Sequence, residues 1–103
     1  MNHRAVVIHP ADNVATAVAD LSAGENVSCF VGREVSACLL QDDIPLGHKF
    51  ALTPLRVGEA VIKYGETIGA ATAPIKVGTH VHVHNVESRR GRGDRSEYEE
   101  GEG

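Results

Sequence analysis

Short apolar runs separated by glycine-containing turns make up residues 1–87 of the chain. Runs rich in Val, Ile and Ala that are bounded by Gly, Pro, Asn or Asp are typical of short β-strands. These runs occupy residues 5–9, 26–31, 34–40, 49–53, 60–65, 66–72 and 80–86. Gly32 and Arg33 are predicted to form a hairpin turn between the second run and the third. The pattern predicts a mainly β fold.

One segment has the spacing of a helix instead. Val14, Ala17, Val18 and Leu21 fall on one face of a helix over residues 13–21. Asp12 is placed to cap its first turn and Gly24 to end it. We therefore expect one short helix within the β fold, with a structural role for Asp12.

A short pattern recurs three times, as LSAGENV, LRVGEAV and IKVGTHV. Each copy has an aliphatic residue, a Gly three positions later and a Val three positions after that. A tight turn with the Gly at positive φ, leading into the next strand, explains the pattern. The uneven spacing of the copies argues against a solenoid.

Composition and charge exclude several classes of protein. A chain of 103 residues with a net charge of −4 favours one small domain and gives no electrostatic basis for binding nucleic acid or an anionic membrane. No apolar run reaches the roughly 18 residues of a membrane helix and no signal peptide is apparent, so we expect a cytoplasmic protein. Cys29 and Cys38 match no zinc or redox spacing and are interpreted as free thiols.

The chain changes character after Ser88. Residues 89–103 contain one aromatic and no aliphatic side chain among dense charges. Such a segment buries too little apolar surface to order itself. We therefore divide the chain into a folded domain, residues 1–88, and a disordered tail, residues 89–103, whose RGD triplet is interpreted as a chance match.

Three histidines, His80, His82 and His84, occupy alternate positions of the last predicted strand. Strand side chains alternate between faces, so the histidines share one face while Val81 and Val83 point to the core. Two imidazoles at this spacing can bind one metal ion, but three on one strand are too far apart, and a site would need a carboxylate or histidine from another strand. A solvated strand face explains the same pattern without a metal.

A second polar group follows Gly47. The glycine allows a sharp turn that presents His48 and Lys49 at a strand entrance, and an imidazole beside an ammonium suits an anionic ligand such as a carboxylate or sulfonate. The lysine also favours the neutral imidazole, which suits a base. An exposed loop is the alternative reading, and Lys63 can likewise be a ligand contact or a surface charge.

Four segments in this order, HPADNVATA, IPLGHKFAL, VIKYGETIG and GTHVHVHNVES, closely resemble the SAF-type N-terminal domain of the altronate and galactarate dehydratase family. The resemblance covers residues 6–94. In some members of the family this domain is a separate small subunit, as in sulfolactate sulfo-lyase. The resemblance implies a β-clip fold, in which a long bent hairpin folds on itself. Thr79 departs from the family pattern, in which Glu is expected.

The resemblance also implies a reaction. The family removes a proton next to a carboxylate and expels water or bisulfite from the neighbouring carbon, so that a sugar acid or sulfolactate becomes a 2-oxo acid. A divalent metal, iron or manganese, is held mainly by a large catalytic domain. We therefore expect this chain to bind no cofactor and to be inactive alone. The partners expected are a large catalytic subunit of the family, a small anionic 2-hydroxy acid and, as a further candidate, a second copy of the chain.

Site roles follow from the matching segments. His48 and Lys49 match the family's Gly-His-Lys segment and are expected to face the substrate, Lys49 at its carboxylate and His48 in proton transfer or orientation. His82, His84 and Asn85 match the His-Val-His-Asn segment and are expected at the active-site mouth or the subunit interface. No metal ligand is assigned to this chain alone, with His80, His82 and His84 as candidates.

Two further segments of the resemblance are assigned to support. Lys63, Tyr64 and Gly65 match the family's Lys-Tyr-Gly turn and are expected to order the mouth. Asp12 and Asn13 also match, although a purely structural role explains them equally well.

Two other functions fit the sequence. A free-standing module that recognises carbohydrates or sugar acids without catalysis predicts ligand binding by the chain alone. A metal-binding protein that uses the three histidines predicts stoichiometric metal in the purified chain.

Overall fold

The computed structural model describes residues 4–31 and 34–88, and within them the chain forms short antiparallel strands. The strands are β1 (Ala5–Val6), β2 (Val14–Ala17), β3 (Asn26–Val31), β4 (Glu34–Leu39), β5 (Lys49–Ala51), β6 (Ala60–Lys63), β7 (Glu66–Ala71), β8 (His80–Val81) and β9 (Val86–Ser88). They form a four-stranded sheet in the order β1-β2-β5-β8, a β3–β4 hairpin and a three-stranded sheet in the order β6-β7-β9. The predicted mainly β, β-clip-like fold is confirmed. The predicted tail and the residues of the predicted hairpin turn lie outside the described residues.

The four-stranded sheet is covered on both faces. One core cluster joins it to the β3–β4 hairpin and includes Ala15 and Phe50, while a second joins it to the β6-β7-β9 sheet and includes Val14 and Ala51. Neighbouring residues of β2 and β5 thus belong to different cores, as strand alternation requires. Cys29 and Cys38 are buried in the first core as free thiols, as predicted.

The helix predicted over residues 13–21 is wrong, because this segment forms β2 and the turn that follows it. Val14, Ala15 and Ala17 are at most 1% exposed, since β2 lies between two cores. A strand buried on both faces shows no alternation of polar and apolar positions, and its alanines favour a helix on propensity alone. In the described residues no helix long and apolar enough to cross a membrane occurs.

The capping role predicted for Asp12 is therefore also wrong, although the side chain is structural. Its carboxylate accepts hydrogen bonds from the backbone N–H of His9 (3.0 Å) and of Gly65 (2.9 Å), and it is 8% exposed. Asn13 acts similarly, because its side chain accepts from Ile62 N–H and donates to Ala60 C=O at the irregularity in β6. Both residues tie the start of β2 to the three-stranded sheet.

Within residues 4–31 and 34–88 the recurring turn is present four times. Gly24, Gly58 and Gly78 have φ between 83° and 90°, as predicted, and Gly47 has φ 85° in the equivalent position of a fourth copy, IPLGHKF. In each copy the residue after the Gly donates its N–H to the carbonyl two positions before the Gly, which closes a turn with the Gly at its third position. The aliphatic residue that opens each copy and the apolar residue that ends it are at most 4% exposed: Leu21 and Val27, Ile44 and Phe50, Leu55 and Val61, Ile75 and Val81.

The four turns are joined in pairs. Leu21 and Ile44 exchange two backbone hydrogen bonds, and Leu55 and Ile75 do the same. Two of the turns are also capped by their own glutamate, since Glu25 accepts from Ser22 N–H (2.7 Å) and Glu59 accepts from Arg56 N–H (2.6 Å). The turns that precede β5 and β8 belong to different pairs, and the antiparallel pairing of β5 with β8 places them at neighbouring strands of one sheet.

Candidate functional site

The histidine run does not form one continuous strand. β8 ends at Val81, residues 82–85 form a turn, and β9 begins at Val86. The prediction that Val81 is buried is confirmed, but the prediction that Val83 points to the core is wrong, because Val83 is 83% exposed at the tip of the turn. A strict alternation in the sequence thus conceals a reversal of the chain.

Asn85 fixes this reversal. Its side-chain oxygen accepts from the backbone N–H of His82 (3.0 Å), and its amide nitrogen donates to the carbonyl of His80 (2.9 Å). The residue is 6% exposed, so these bonds are sheltered from water. The part of Asn85 at the site is therefore to hold the two histidines on either side of Val81 in place.

Three histidine rings come together beside this turn. His48 Nδ1 lies 2.9 Å from His80 Nε2, and the rings of His48 and His82 stack with centroids 4.3 Å apart at 19°. One nitrogen of each of the three rings lies within 4.8 Å of those of the other two. We call His48, His80 and His82 the histidine triad. His84 flanks it, with its ring tilted and 5.4 Å from that of His80.

The surroundings favour the neutral imidazole at His80 and at His82. Partial burial and the neighbouring rings of His48, His84 and His82 lower the pKa of His80, and the carboxylate of Asp42 opposes them in part. Loss of solvent, His48 and Lys49 lower the pKa of His82. The carboxylate of Asp42 also accepts a hydrogen bond from the backbone N–H of His80 (2.9 Å). Asp42 therefore orients His80 and places a negative charge beside it. Asp42 was not identified from the sequence. The only signal was the acidic pair Asp42 and Asp43 before the turn at Gly47.

Lys49 lies on the other side of the same strands. In the register of β5 and β8, Lys49 is opposite Val81 and Phe50 is opposite His80, so Lys49 and His80 project from opposite faces of the sheet. His82 contacts both regions, because it stacks on His48 and also lines the cavity that contains Lys49. The predicted pair of His48 and Lys49 is therefore joined through His82.

An open cavity of about 270 Å³ extends from Lys49 to β9. Its lining is mainly aliphatic, with Lys49, His82 and Ser88 as polar members and Ile68, Val81, Val83 and Val86 as apolar ones. Burial, reinforced by the charge of Lys63, lowers the pKa of Lys49. A partly desolvated ammonium in an apolar recess is a site for a small anion, because a negative partner removes the cost of burying the charge.

The Lys-Tyr-Gly segment forms a tight turn between β6 and β7. Tyr64 has φ 58° and Gly65 φ 73°, and the ammonium of Lys63 lies 4.8 Å from the centre of the Tyr64 ring. Asp12 anchors the turn through Gly65 N–H. Lys63 acts on the site through the pKa of Lys49, while its expected role in ordering the mouth remains a prediction.

The fold and the site together define a small β-clip-like domain that carries a histidine triad beside an open cavity with a cationic group. Residues 3–89 match the profile described as the altronate/galactarate dehydratase SAF domain. The chain belongs to this family, as the resemblance predicted.

Similar proteins divide into two kinds. The altronate dehydratase of Escherichia coli (strain K12) is 44% identical over 94 residues, which cover 91% of this chain and 18% of that protein. The (2R)-sulfolactate sulfo-lyase subunit alpha of Chromohalobacter salexigens is 38% identical over 88 residues, or 82% of this chain and 94% of the subunit. The corresponding subunit of Paracoccus pantotrophus is 52% identical over 48 residues, or 47% of this chain and 72% of the subunit. The chain thus spans less than a fifth of the Escherichia coli dehydratase and nearly the whole length of one sulfo-lyase subunit.

Proposed function

We propose that this chain is the small subunit of a lyase that eliminates water or bisulfite from a 2-hydroxy acid or sugar acid and gives a 2-oxo acid. It acts with a separate large catalytic subunit that holds iron or manganese. The observation that carries the proposal is the cavity that combines Lys49 and His82, in a chain that spans 94% of a sulfo-lyase alpha subunit.

The cavity favours a small acid as the ligand. Lys49 supplies a cation whose pKa is lowered by burial, so binding of a carboxylate or sulfonate stabilises the ammonium. The aliphatic lining restricts water around this pair, which strengthens the attraction between the two charges. We assign Lys49 to the carboxylate of the substrate.

His48 is suited to moving or orienting a proton. Its Nδ1 shares a hydrogen bond with His80 Nε2, which leaves Nε2 of His48 as the nitrogen that can take up or return a proton. In the elimination, the C–H bond next to the carboxylate breaks and its electron pair forms a C=C bond. Hydroxide, protonated to water, or bisulfite leaves from the neighbouring carbon, and the enol becomes the 2-oxo acid. A divalent ion on the large subunit would stabilise negative charge on the substrate oxygens.

The exposed surface around the cavity supports a partner at this site. Val83 lines the cavity and is 83% exposed, so an aliphatic side chain stands in solvent beside the proposed substrate. A large subunit that covers the turn of residues 82–85 would bury Val83 and close the cavity. His82, His84 and Asn85 would then lie at the interface.

Reconstitution tests the proposal. The full chain is mixed with a large subunit of the altronate and galactarate dehydratase family from the same organism, and altronate, galactarate and (2R)-sulfolactate are supplied with Fe²⁺ or Mn²⁺. We expect a 2-oxo acid, with sulfite in the case of sulfolactate, only when both chains are present. A large subunit that is fully active alone on all these acids would refute the proposal.

A free-standing sugar-acid-binding module is the second candidate, because the cavity is formed by residues of this chain alone. Calorimetric titration of the same acids into the isolated chain separates the two. Tight binding that no large subunit improves, with no turnover in the mixture, favours the module.

A further inference from the structure

We propose that His48, His80 and His82 form a binding site for one divalent transition-metal ion within this chain. The family resemblance led us to expect no metal bound by this chain alone, and strand geometry allowed His80, His82 and His84 to form a site only with a further ligand from another strand. In the structure the third histidine of the group is not His84 but His48, which lies in the turn directly before β5. The proposal does not rest on the lyase function.

The distances suit a metal centre after a small adjustment. Metal–imidazole bonds of about 2.1 Å place neighbouring ligand atoms about 3.0 to 3.4 Å apart in octahedral or tetrahedral geometry. His48 Nδ1 and His80 Nε2 lie 2.9 Å apart in a hydrogen bond that the ion would replace, and one nitrogen of each of the three rings lies within 4.8 Å of those of the other two. His82 lies at the start of the turn and is only half-buried, so a rotation of its side chain can close the remaining gap.

The backbone N–H of each ligand residue has its own hydrogen-bond acceptor. His48 follows Gly47 in the turn before β5 and donates its N–H to Pro45 C=O (2.9 Å). His80 is held by Asp42, and His82 by Asn85. Because the backbone of each ligand is fixed before the metal arrives, only side-chain rotation adds an ordering cost on binding.

The ligand set indicates the class of metal. Three neutral imidazoles suit Zn²⁺, Fe²⁺, Co²⁺ or Ni²⁺, whereas Ca²⁺ and Mg²⁺ require oxygen ligands. The two nearby charges act in opposite directions, because the carboxylate of Asp42 raises the pKa of His80 while the ammonium of Lys49 lowers the pKa of His82. Three ligands also leave coordination positions for water or for the oxygens of a bound acid.

Cobalt binding by the full chain tests the site. The chain is purified without a histidine tag, treated with chelator and titrated with Co²⁺ by absorption spectroscopy and with Zn²⁺ by calorimetry. We expect one ion per chain, with visible d–d absorption, and no displacement by Mg²⁺. His48→Ala, His80→Ala and His82→Ala should each weaken binding at least about tenfold, since even residues behind the ligands have effects of that size.

His9→Ala, which removes a histidine outside the triad, is the matched control and should change the affinity less than about twofold. Circular dichroism and urea unfolding of each variant in chelator show whether it folds, and His48→Gln provides a polar replacement if His48→Ala does not. Binding that survives loss of His48, more than one ion per chain, or no cobalt spectrum at a large excess of metal would each overturn the proposal.

Discussion

His48 Nδ1 and His80 Nε2 lie 2.9 Å apart although 32 residues separate them in the chain. The contact exists because β5 and β8 are neighbours and each follows a glycine turn of the same type. Residues that the sequence presents as two independent motifs are thus one site. The predictions that follow test this site and the structure that supports it.

Replacing Lys49 should impair substrate binding in the reconstituted enzyme. Lys49→Ala removes the cation of the cavity, so we expect kcat/KM for the acid to fall on the order of 10- to 100-fold, mainly through a higher KM. Lys76→Ala, which changes an exposed lysine of a neighbouring turn, is the control and should be near wild type. Full activity of Lys49→Ala on every acid tested would refute the role of this residue.

The stability of the chain should fall in mild acid because of the triad. The pKa of His80 and of His82 is lowered in the folded state, whereas an unfolded histidine titrates near 6.5. The unfolded chain therefore binds more protons as the pH falls below about 6.5, so the stabilisation present above that pH is progressively lost.

Urea unfolding between pH 7.5 and pH 5 in the presence of chelator measures this effect. His80→Gln should flatten the pH dependence of the free energy of unfolding, whereas His9→Gln should leave it steep. Equal slopes in the wild type and in His80→Gln would show that the triad does not contribute.

Asn85→Ala should destabilise the turn of residues 82–85. The substitution removes two sheltered hydrogen bonds, to His82 N–H and His80 C=O, and should lower the free energy of unfolding by about 2 kcal/mol. Asn26→Ala, at an exposed position of β3, is the control and should stay within about 0.5 kcal/mol of wild type. Similar losses in the two variants would contradict the role of Asn85.

Two glycines of the repeated turn should respond differently to alanine. Both have positive φ, but a Cβ at Gly58 meets nothing within 4 Å, whereas a Cβ at Gly78 collides with the carbonyl oxygen of Leu39. We expect Gly58→Ala to cost about 1 kcal/mol from the backbone alone and Gly78→Ala about 3 kcal/mol or more. Urea unfolding measures both, and equal costs would mean that the contact with Leu39 relaxes freely.

Cys29 and Cys38 should be unreactive in the folded chain. Burial raises the pKa of both thiols, and Cys29 raises that of Cys38 further, so little thiolate is present at neutral pH. A thiol reagent should label them slowly in buffer and rapidly in urea. Fast labelling of the native chain, or a disulfide in non-reducing mass spectrometry, would contradict this burial.

The strands were predictable where one face meets solvent or where glycine marks the boundary. The β3–β4 hairpin and the three turns at Gly24, Gly58 and Gly78 follow from local pattern. β2 was not predictable, because it is buried on both faces and rich in alanine. The turn at Gly47 was not recognised as a copy of the pattern, because Phe50 occupies the position at which the other copies have Val. The position requires a buried apolar side chain and not a valine.

The candidate site was predictable in its members but not in its arrangement. Sequence identified His48, Lys49 and the histidine run, because these residue types carry recognisable chemistry. It placed Val83 in the core, since periodicity carries no information about the hydrogen bonds by which Asn85 reverses the chain. The association of His48 with His80 depends on the pairing of β5 with β8, and that of Asp42 with His80 on a loop contact, and neither partner can be read from the residues next to it in the chain.

The four turns show how one scaffold separates folding from chemistry. Leu21, Ile44, Leu55 and Ile75 anchor them in the core, while the position after each glycine carries Glu25, His48, Glu59 or Thr79. The two glutamates brace their own turns, and the two turns without a glutamate lead to the histidine triad. The bracing glutamates thus lie in the first and third turns along the chain, whereas the second carries His48 and the fourth carries Thr79, directly before His80. Other ligands can therefore be introduced into this fold by changing the residue after a glycine, while Leu21, Ile44, Leu55 and Ile75 keep the turns packed in the core.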